Sequence, residues 1–180
     1  MYYIKNHKEY KEFLVQDASA SKVEGVSRWN LSYKDSRKFV RSLRKAEYFH
    51  SRKSLSRLVT FYRFQKSCIK HCCSIPLCKI GPGLSMPHPY GIIIGCEQIG
   101  PNASILQNVT IGGHAKHPGL PIIGSNVYIG AGAVILGGIR IADGVAIGAN
   151  AVVLDDILEP NTSWAGVPAT KISNKGTRRF

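Results

Sequence analysis

From Ile99 onward an aliphatic side chain returns every sixth residue: Ile99, Ile105, Ile111, then Ile123, Ile129, Ile135, Ile141, Ile147 and Val153. Six matches neither the 3.6-residue turn of a helix nor the two-residue alternation of a flat sheet. It fits short parallel strands joined by tight turns, each strand sending one aliphatic towards a shared axis. The next position is often small (Gly100, Gly112, Gly124, Gly130, Ala142, Gly148). Four residues after each aliphatic comes a small or β-branched residue, such as Ala103, Val109, Val127, Ala133, Val145 and Ala151. The rhythm breaks over His114–Pro121, which predicts a loop extruded from a regular stack. An earlier run, Ile80, Met86 and Ile92, keeps the period one residue out of phase, and an insertion near Cys96-Glu97-Gln98 would explain the slip.

The first part of the chain has a different grammar. The 180 residues carry a formal charge of +13. Through Lys70 there are 17 basic and 6 acidic residues, whereas the rest has 7 and 5. Phe39, Val40, Leu43 and Ala46 recur at helical spacing among Arg37, Lys38, Arg41, Arg44 and Lys45, and Leu55, Leu58, Val59 and Tyr62 make a second stripe. Two basic amphipathic helices are expected, at about 35–49 and 53–70. Such helices either pack on the rest of the protein with solvated basic faces, or adhere to an anionic membrane surface. Nothing in the pattern matches a nucleic-acid-binding motif, and no nucleic-acid partner is expected.

No run of about 18 apolar residues would span a bilayer, and the N-terminus lacks the apolar stretch of a signal peptide. A cytoplasmic protein is expected, with peripheral membrane contact through residues 1–73 as an open reading. Five cysteines, four of them between Cys68 and Cys78, do not form an even, dispersed disulfide framework. They read as reduced, partly buried thiols.

Several strings now matter together: Lys79-Ile-Gly-Pro-Gly-Leu84, His88-Pro-Tyr-Gly-Ile-Ile-Ile-Gly95, Val109-Thr-Ile-Gly-Gly113, Tyr128-Ile-Gly-Ala-Gly-Ala133 and Ala165-Gly-Val-Pro-Ala169. In this order they resemble the hexapeptide-repeat acyltransferases, and within them the serine acetyltransferase branch and its polysaccharide O-acetyltransferase relatives. The resemblance implies a mainly β fold, a left-handed parallel β-helix over residues 74–173. A basic α-helical segment (1–73) would precede it and a short tail (174–180) would follow. It also implies a homotrimer, with active sites between neighbouring solenoids, and acetyl-CoA as co-substrate.

Acetyl transfer to a hydroxyl needs a base for the hydroxyl proton, donors facing the developing oxyanion and a groove for the pantetheine arm. His88 aligns with the family's base histidine, and His114, beside Gly112-Gly113, is the second catalytic candidate. The resemblance assigns acetyl-CoA contacts to Gly113, Ala131, Ala149 and Lys171, and no metal. Where the serine branch carries an aspartate before the base histidine, this chain has Pro87, and the loop's Arg-His pair is replaced by Gly119-Leu120. These departures lead us to expect a sugar or polysaccharide hydroxyl as acceptor, with serine as the alternative. Two other readings stay open. A zinc site of His88, His114 and His117 would hydrate carbon dioxide, and a dead site would leave a non-catalytic scaffold. The helical segment is expected to be separable from the chemistry.

Overall fold

A computed structural model describes residues 2, 4–21, 31–50, 52 and 55–177. Among the described residues three helices, α1 (His7–Ala20), α2 (Leu31–His50) and α3 (Leu55–Lys70), precede twelve short strands. These are β1 (Ile93–Ile94), β2 (Gln98–Ile99), β3 (Ser104–Ile105), β4 (Thr110–Gly112), β5 (Ile122–Ile123), β6 (Tyr128–Ile129), β7 (Val134–Leu136), β8 (Arg140–Ile141), β9 (Ala146–Ile147), β10 (Val152–Val153), β11 (Ser163–Ala165) and β12 (Thr170–Ser173). Up to β10 every third strand falls in the same sheet, and the last two join the third: β1-β4-β7-β10 on one wall, β2-β5-β8 on the second, and β3-β6-β9-β11-β12 on the third. All pairings are parallel except β11 with β12, whose hairpin finishes the stack. The result is a left-handed parallel β-helix of triangular section.

The expected period is the period of the core. Ile80, Ile99, Ile105, Ile111, Ile123, Ile129, Ile135, Ile141, Ile147 and Val153 are all buried, as are Ala103, Val109, Val127, Ala133, Val145 and Ala151. Register measures each coil. Ile129 faces Ile147, 18 residues on, whereas Ile105 faces Ile129, 24 residues on, because the His114–Pro121 loop lies between them. The early phase slip has a different origin from the one expected. Ile94, not Ile92, stacks beneath Ile111, so the link from Met86 is two residues too long and the link to Ile99 one too short. The inserted residues lie in Pro87–Gly91, and the stretch at Cys96 is a deletion. Asparagine shares the tight corners with glycine: Asn102, Asn108, Asn126, Asn150 and Asn161 have φ between 55 and 59°, a region Asn enters more readily than other non-glycine residues.

The helical segment differs from expectation in two ways. First, the opening residues contain α1, started by Asn6, whose side chain accepts the Glu9 N–H (2.9 Å) while Glu9 reaches back to the Lys5 N–H (2.8 Å). This capping pair was legible as Asn-x-x-Glu. Second, the stripe on α3 faces outward. Leu55, Leu58, Val59, Phe61, Tyr62 and Ile69 are exposed, and the helix packs instead through Thr60, Phe64 and Cys68. The α2 stripe of Phe39, Val40, Leu43 and Ala46 is buried as expected.

The helices are no appendage, because they satisfy the open end of the first coil. Arg44, fully buried, donates through Nε to Asp17 (2.8 Å), through Nη1 to Glu47 and the Ile80 carbonyl (2.9 Å each), and through Nη2 to the Gly81 carbonyl (2.6 Å). Asp17 in turn accepts the Leu84 N–H (2.8 Å), Glu47 the Cys78 N–H (2.9 Å), and the Tyr2 N–H donates to the Cys78 carbonyl (2.9 Å). Burial works against the guanidinium charge, but Glu47 and Asp17 outweigh it and raise the Arg44 pKa.

A second junction joins α2, the end of α3 and the inserted corner. Asp35 accepts from His71 Nε2 (2.8 Å), the Tyr90 hydroxyl (2.8 Å) and Lys70 Nζ (3.2 Å). The other ring nitrogen of the buried His71 lies 2.6 Å from the Ser67 carbonyl. Both nitrogens therefore face acceptor oxygens. Hydrogen bonding from His71 in the first place, against desolvation and with help from Tyr90 and Lys70, lowers the Asp35 pKa from 3.8 to about 2.

Two outcomes follow from these junctions. Arg44→Met strands two carboxylates in the interior and should lower unfolding free energy by about 3–5 kcal/mol, read from urea denaturation. Asp35 contributes stability that is complete above its unfolded pKa and is lost as pH falls through its folded value. Asp35→Asn should therefore be less stable than the native chain at pH 5–7, with a gap in urea midpoint that closes as pH falls from 3.8 towards about 2.

Candidate active site

His88 stands on the inserted corner, between an edge of the third sheet and the first sheet. It is exposed, while Pro89 beneath it is buried. The corner rests on the next coil through the Asn108 N–H, which donates to the Tyr90 carbonyl (2.9 Å). Gly91 is required there, with φ +66°, and a Cβ would lie 2.3 Å from Asn108 Oδ1.

The loop carries the other two candidate histidines. His114 and His117 bridge across it and stack at 5.6 Å between ring centroids. His114 Nδ1 accepts the Lys116 N–H (3.3 Å). The stack sits over Gly137 (φ +102°), where a Cβ would come within 2.8 Å of the His117 Cβ. Gly113 is exposed at the loop's foot. Alongside runs a groove of about 510 Å³, lined by Lys116, His117, Pro118, Gly138, Ile139, Leu154, Asp155 and Asp156.

The structure does not bring His88 and His114 together within one chain. Tyr90 and Gly91 stack under Gln107-Asn108, the corner before β4, whereas His114 follows β4. Five extended residues separate Asn108 from Gly113, roughly 16 Å at ~3.3 Å each. The three histidines of the zinc reading are divided in the same way. Ala131 and Ala149, by contrast, share the His88 edge: the Asn150 N–H donates to the Ala131 carbonyl (2.8 Å), and the Gly132 N–H to the Gln107 carbonyl (2.9 Å). Among the described residues no backbone hydrogen bond engages Ala149, which is exposed. Its N–H and carbonyl suit an amide-bearing chain laid along the edge. Ala165-Gly-Val-Pro-Ala169 continues that edge, since the Val152 N–H donates to the Gly166 carbonyl. Lys171 lies on β12 and pairs with Glu159 (2.6 Å).

Four of the five thiols are poor nucleophiles. Burial pushes Cys68 and Cys78 to about 12 and Cys96 to about 11, and raises Cys73. No disulfide forms. The sequence reading missed the Asp35–His71–Tyr90 junction, whose members are far apart in the chain. It also missed the mixed charge of the loop groove, which Lys116 and Asp155 line together only because the coils stack.

A family profile described as bacterial transferase hexapeptide (six repeats) matches residues 121–155. The probable serine acetyltransferase 1 of Oryza sativa subsp. japonica is 46% identical over 103 residues, which cover 56% of this chain and 34% of that protein. This chain thus spans about a third of the length of that curated relative. Soybean serine acetyltransferase complexed with serine superposes with a TM-score of 0.72 at 31% identity, over 91% of this chain and 69% of that one. The Brucella abortus strain S19 serine acetyltransferase in complex with coenzyme A gives 0.77 at 28% identity, over 96% and 71%. These relatives overturn the expected sugar or polysaccharide acceptor. The departures at Pro87 and Gly119-Leu120 had suggested that ionic partners for an amino acid were lacking, but charges brought together by stacking are invisible in the linear loop. Sequence strings, coil register and overall superposition agree that the chain belongs to the hexapeptide-repeat transferases.

Proposed function

We propose that this chain transfers the acetyl group of acetyl-CoA to the hydroxyl of serine, with His88 as general base. The observation that carries the reading is the 46% identity to a serine acetyltransferase over 103 residues. The exposed setting of His88 on an inserted corner agrees with it. Lys116 and Asp155 on the loop groove add a cation for a carboxylate and an anion for an ammonium, the equipment an amino-acid acceptor needs.

His88 takes the serine hydroxyl proton as the oxygen attacks the thioester carbonyl. The new carbon–oxygen bond forms, the carbon–sulfur bond breaks, and the His88 imidazolium returns the proton to the departing thiolate. A base of this kind contributes about 10²–10⁴ in rate, or roughly 3–5 kcal/mol of barrier. His114 donates to the thioester oxygen, with Gly113 bordering it. Ala131 and Ala149 present backbone groups to the pantetheine arm along the His88 edge. Lys171 meets a phosphate only after releasing Glu159.

Because His88 and His114 occupy opposite edges of one sheet, the site is complete only where the loop of one chain meets the corner of another. The family resemblance makes that assembly a homotrimer with three such sites. The outward face of α3 has its own use. It carries six exposed apolar side chains, with Arg57, Arg63, Lys66 and Lys70 and no acid. That combination suits an anionic membrane surface.

Purified protein with acetyl-CoA and serine should release thiol and form O-acetylserine. His88→Ala should cut turnover by at least about a hundredfold with little change in thermal midpoint, and His114→Ala should cost less. Light scattering on the same preparations should read three chains, and an active monomer would remove the shared-site reading. Full turnover by His88→Ala would remove the base. Vesicles rich in phosphatidylserine should retain the native chain at low salt, and Leu58→Glu/Tyr62→Glu should release it. Equal binding by the two would leave α3 no membrane role.

A further inference from the structure

The corner that carries His88 is held largely from outside the repeat. Before it, the Ser36 hydroxyl donates to the Met86 carbonyl (2.6 Å). After it, the Cys73 thiol donates to the Pro89 carbonyl (3.1 Å), the Gly91 N–H to the His71 carbonyl (2.9 Å) and the Tyr90 hydroxyl to Asp35 (2.8 Å). Ser36, Asp35, His71 and Cys73 all belong to the helical segment or its junction with the first coil. A two-residue insertion interrupts the regular ladder, and unrestrained it would sample many backbone conformations. Asp35 is the hub of the restraint. It binds Tyr90 directly, and it fixes His71, whose own carbonyl takes the Gly91 N–H.

We propose that Asp35 is a positioning residue for His88, acting through Tyr90 and His71 to hold the inserted corner in its reactive geometry. The proposal rests on the reading of His88 as the base. It involves no contact between Asp35 and the reacting groups. Lys70 holds the same carboxylate from the solvent side (3.2 Å), so the hub acts through its hydrogen bonds to the corner. A displacement of about 1 Å at a reacting group is enough to lose on the order of a hundredfold in rate.

The test uses full-length Tyr90→Phe and Asp35→Asn, assayed well below their thermal midpoints, with His88 followed by its imidazole 13Cε1 resonance. That resonance is assigned by its loss in His88→Gln. Tyr90→Phe removes one hydroxyl and keeps the ring. It should lower kcat by about tenfold and Asp35→Asn by about a hundredfold. In both, KM for acetyl-CoA should stay within about twofold and the acid limb of the pH–rate profile should not move. The His88 resonance should shift or broaden in both variants. Native kcat and an unchanged resonance in folded variants would overturn the proposal. So would a fall in kcat accompanied by a matching rise in KM and loss of helical signal, which marks a merely structural role. If the native chain made no O-acetylserine while the resonance still responded in both variants, positioning by Asp35 would stand and the serine reading would fall.

Discussion

A stack of parallel coils satisfies its backbone groups between neighbours, and its first coil has no neighbour below. Unpaired buried N–H and carbonyl groups are costly, so the open end governs everything built on it. Here the helical segment meets that need group by group. Cys78 N–H goes to Glu47, Leu84 N–H to Asp17, the Ile80 and Gly81 carbonyls to Arg44, and the Met86 carbonyl to Ser36. Arg44 can be this deep only because two carboxylates neutralise it, and those carboxylates are useful only because they also bind the coil. Charge balance and ladder termination are one arrangement.

The proposed chemistry inherits this geometry. The coil above the cap contains the insertion that lifts His88 out of the repeat, and the same segment that closes the stack also ties that insertion down. The segment expected to be separable from the chemistry thus touches both the first coil and the His88 corner. Asp35, His71 and Cys73 reach the His88 corner, and Asp17 and Glu47 reach the first coil. The other face of the segment is free of this duty, which is why α3 can present apolar side chains to the outside.

A prism with three walls also separates what the sequence places close together. His88 and His114 are 26 residues apart in the chain, one 18-residue coil and about one wall more, and they stand at opposite edges of one wall. Ala131 and Ala149, much further from His88 in sequence, lie along its own edge. Corners recur with every coil, so an edge gathers residues that differ by multiples of the repeat. Lys116 and Asp155 meet on the loop side for the same reason.

The sequence by itself determined the solenoid. A six-residue period of aliphatics is a local, repeated signal, and each inward side chain needs only the turn it belongs to and the turn above. It also determined the loop, because a missing beat is as visible as a present one, and it singled out His88 through the string around it. Tertiary structure alone decided the rest. The one-residue phase slip could sit at Cys96 or at His88 with the same arithmetic, and only the stacking of Ile94 beneath Ile111 put the insertion under the histidine. Arg44 read as one more base on a solvated face, since periodicity marks which side of a helix is buried and carries no notice of a buried carboxylate pair. The α3 stripe read as a face for the protein or for a membrane, and the helix turned Thr60, Phe64 and Cys68 inward instead. Apolar spacing defines a face, but which face is covered depends on what the remainder of the chain sets against it.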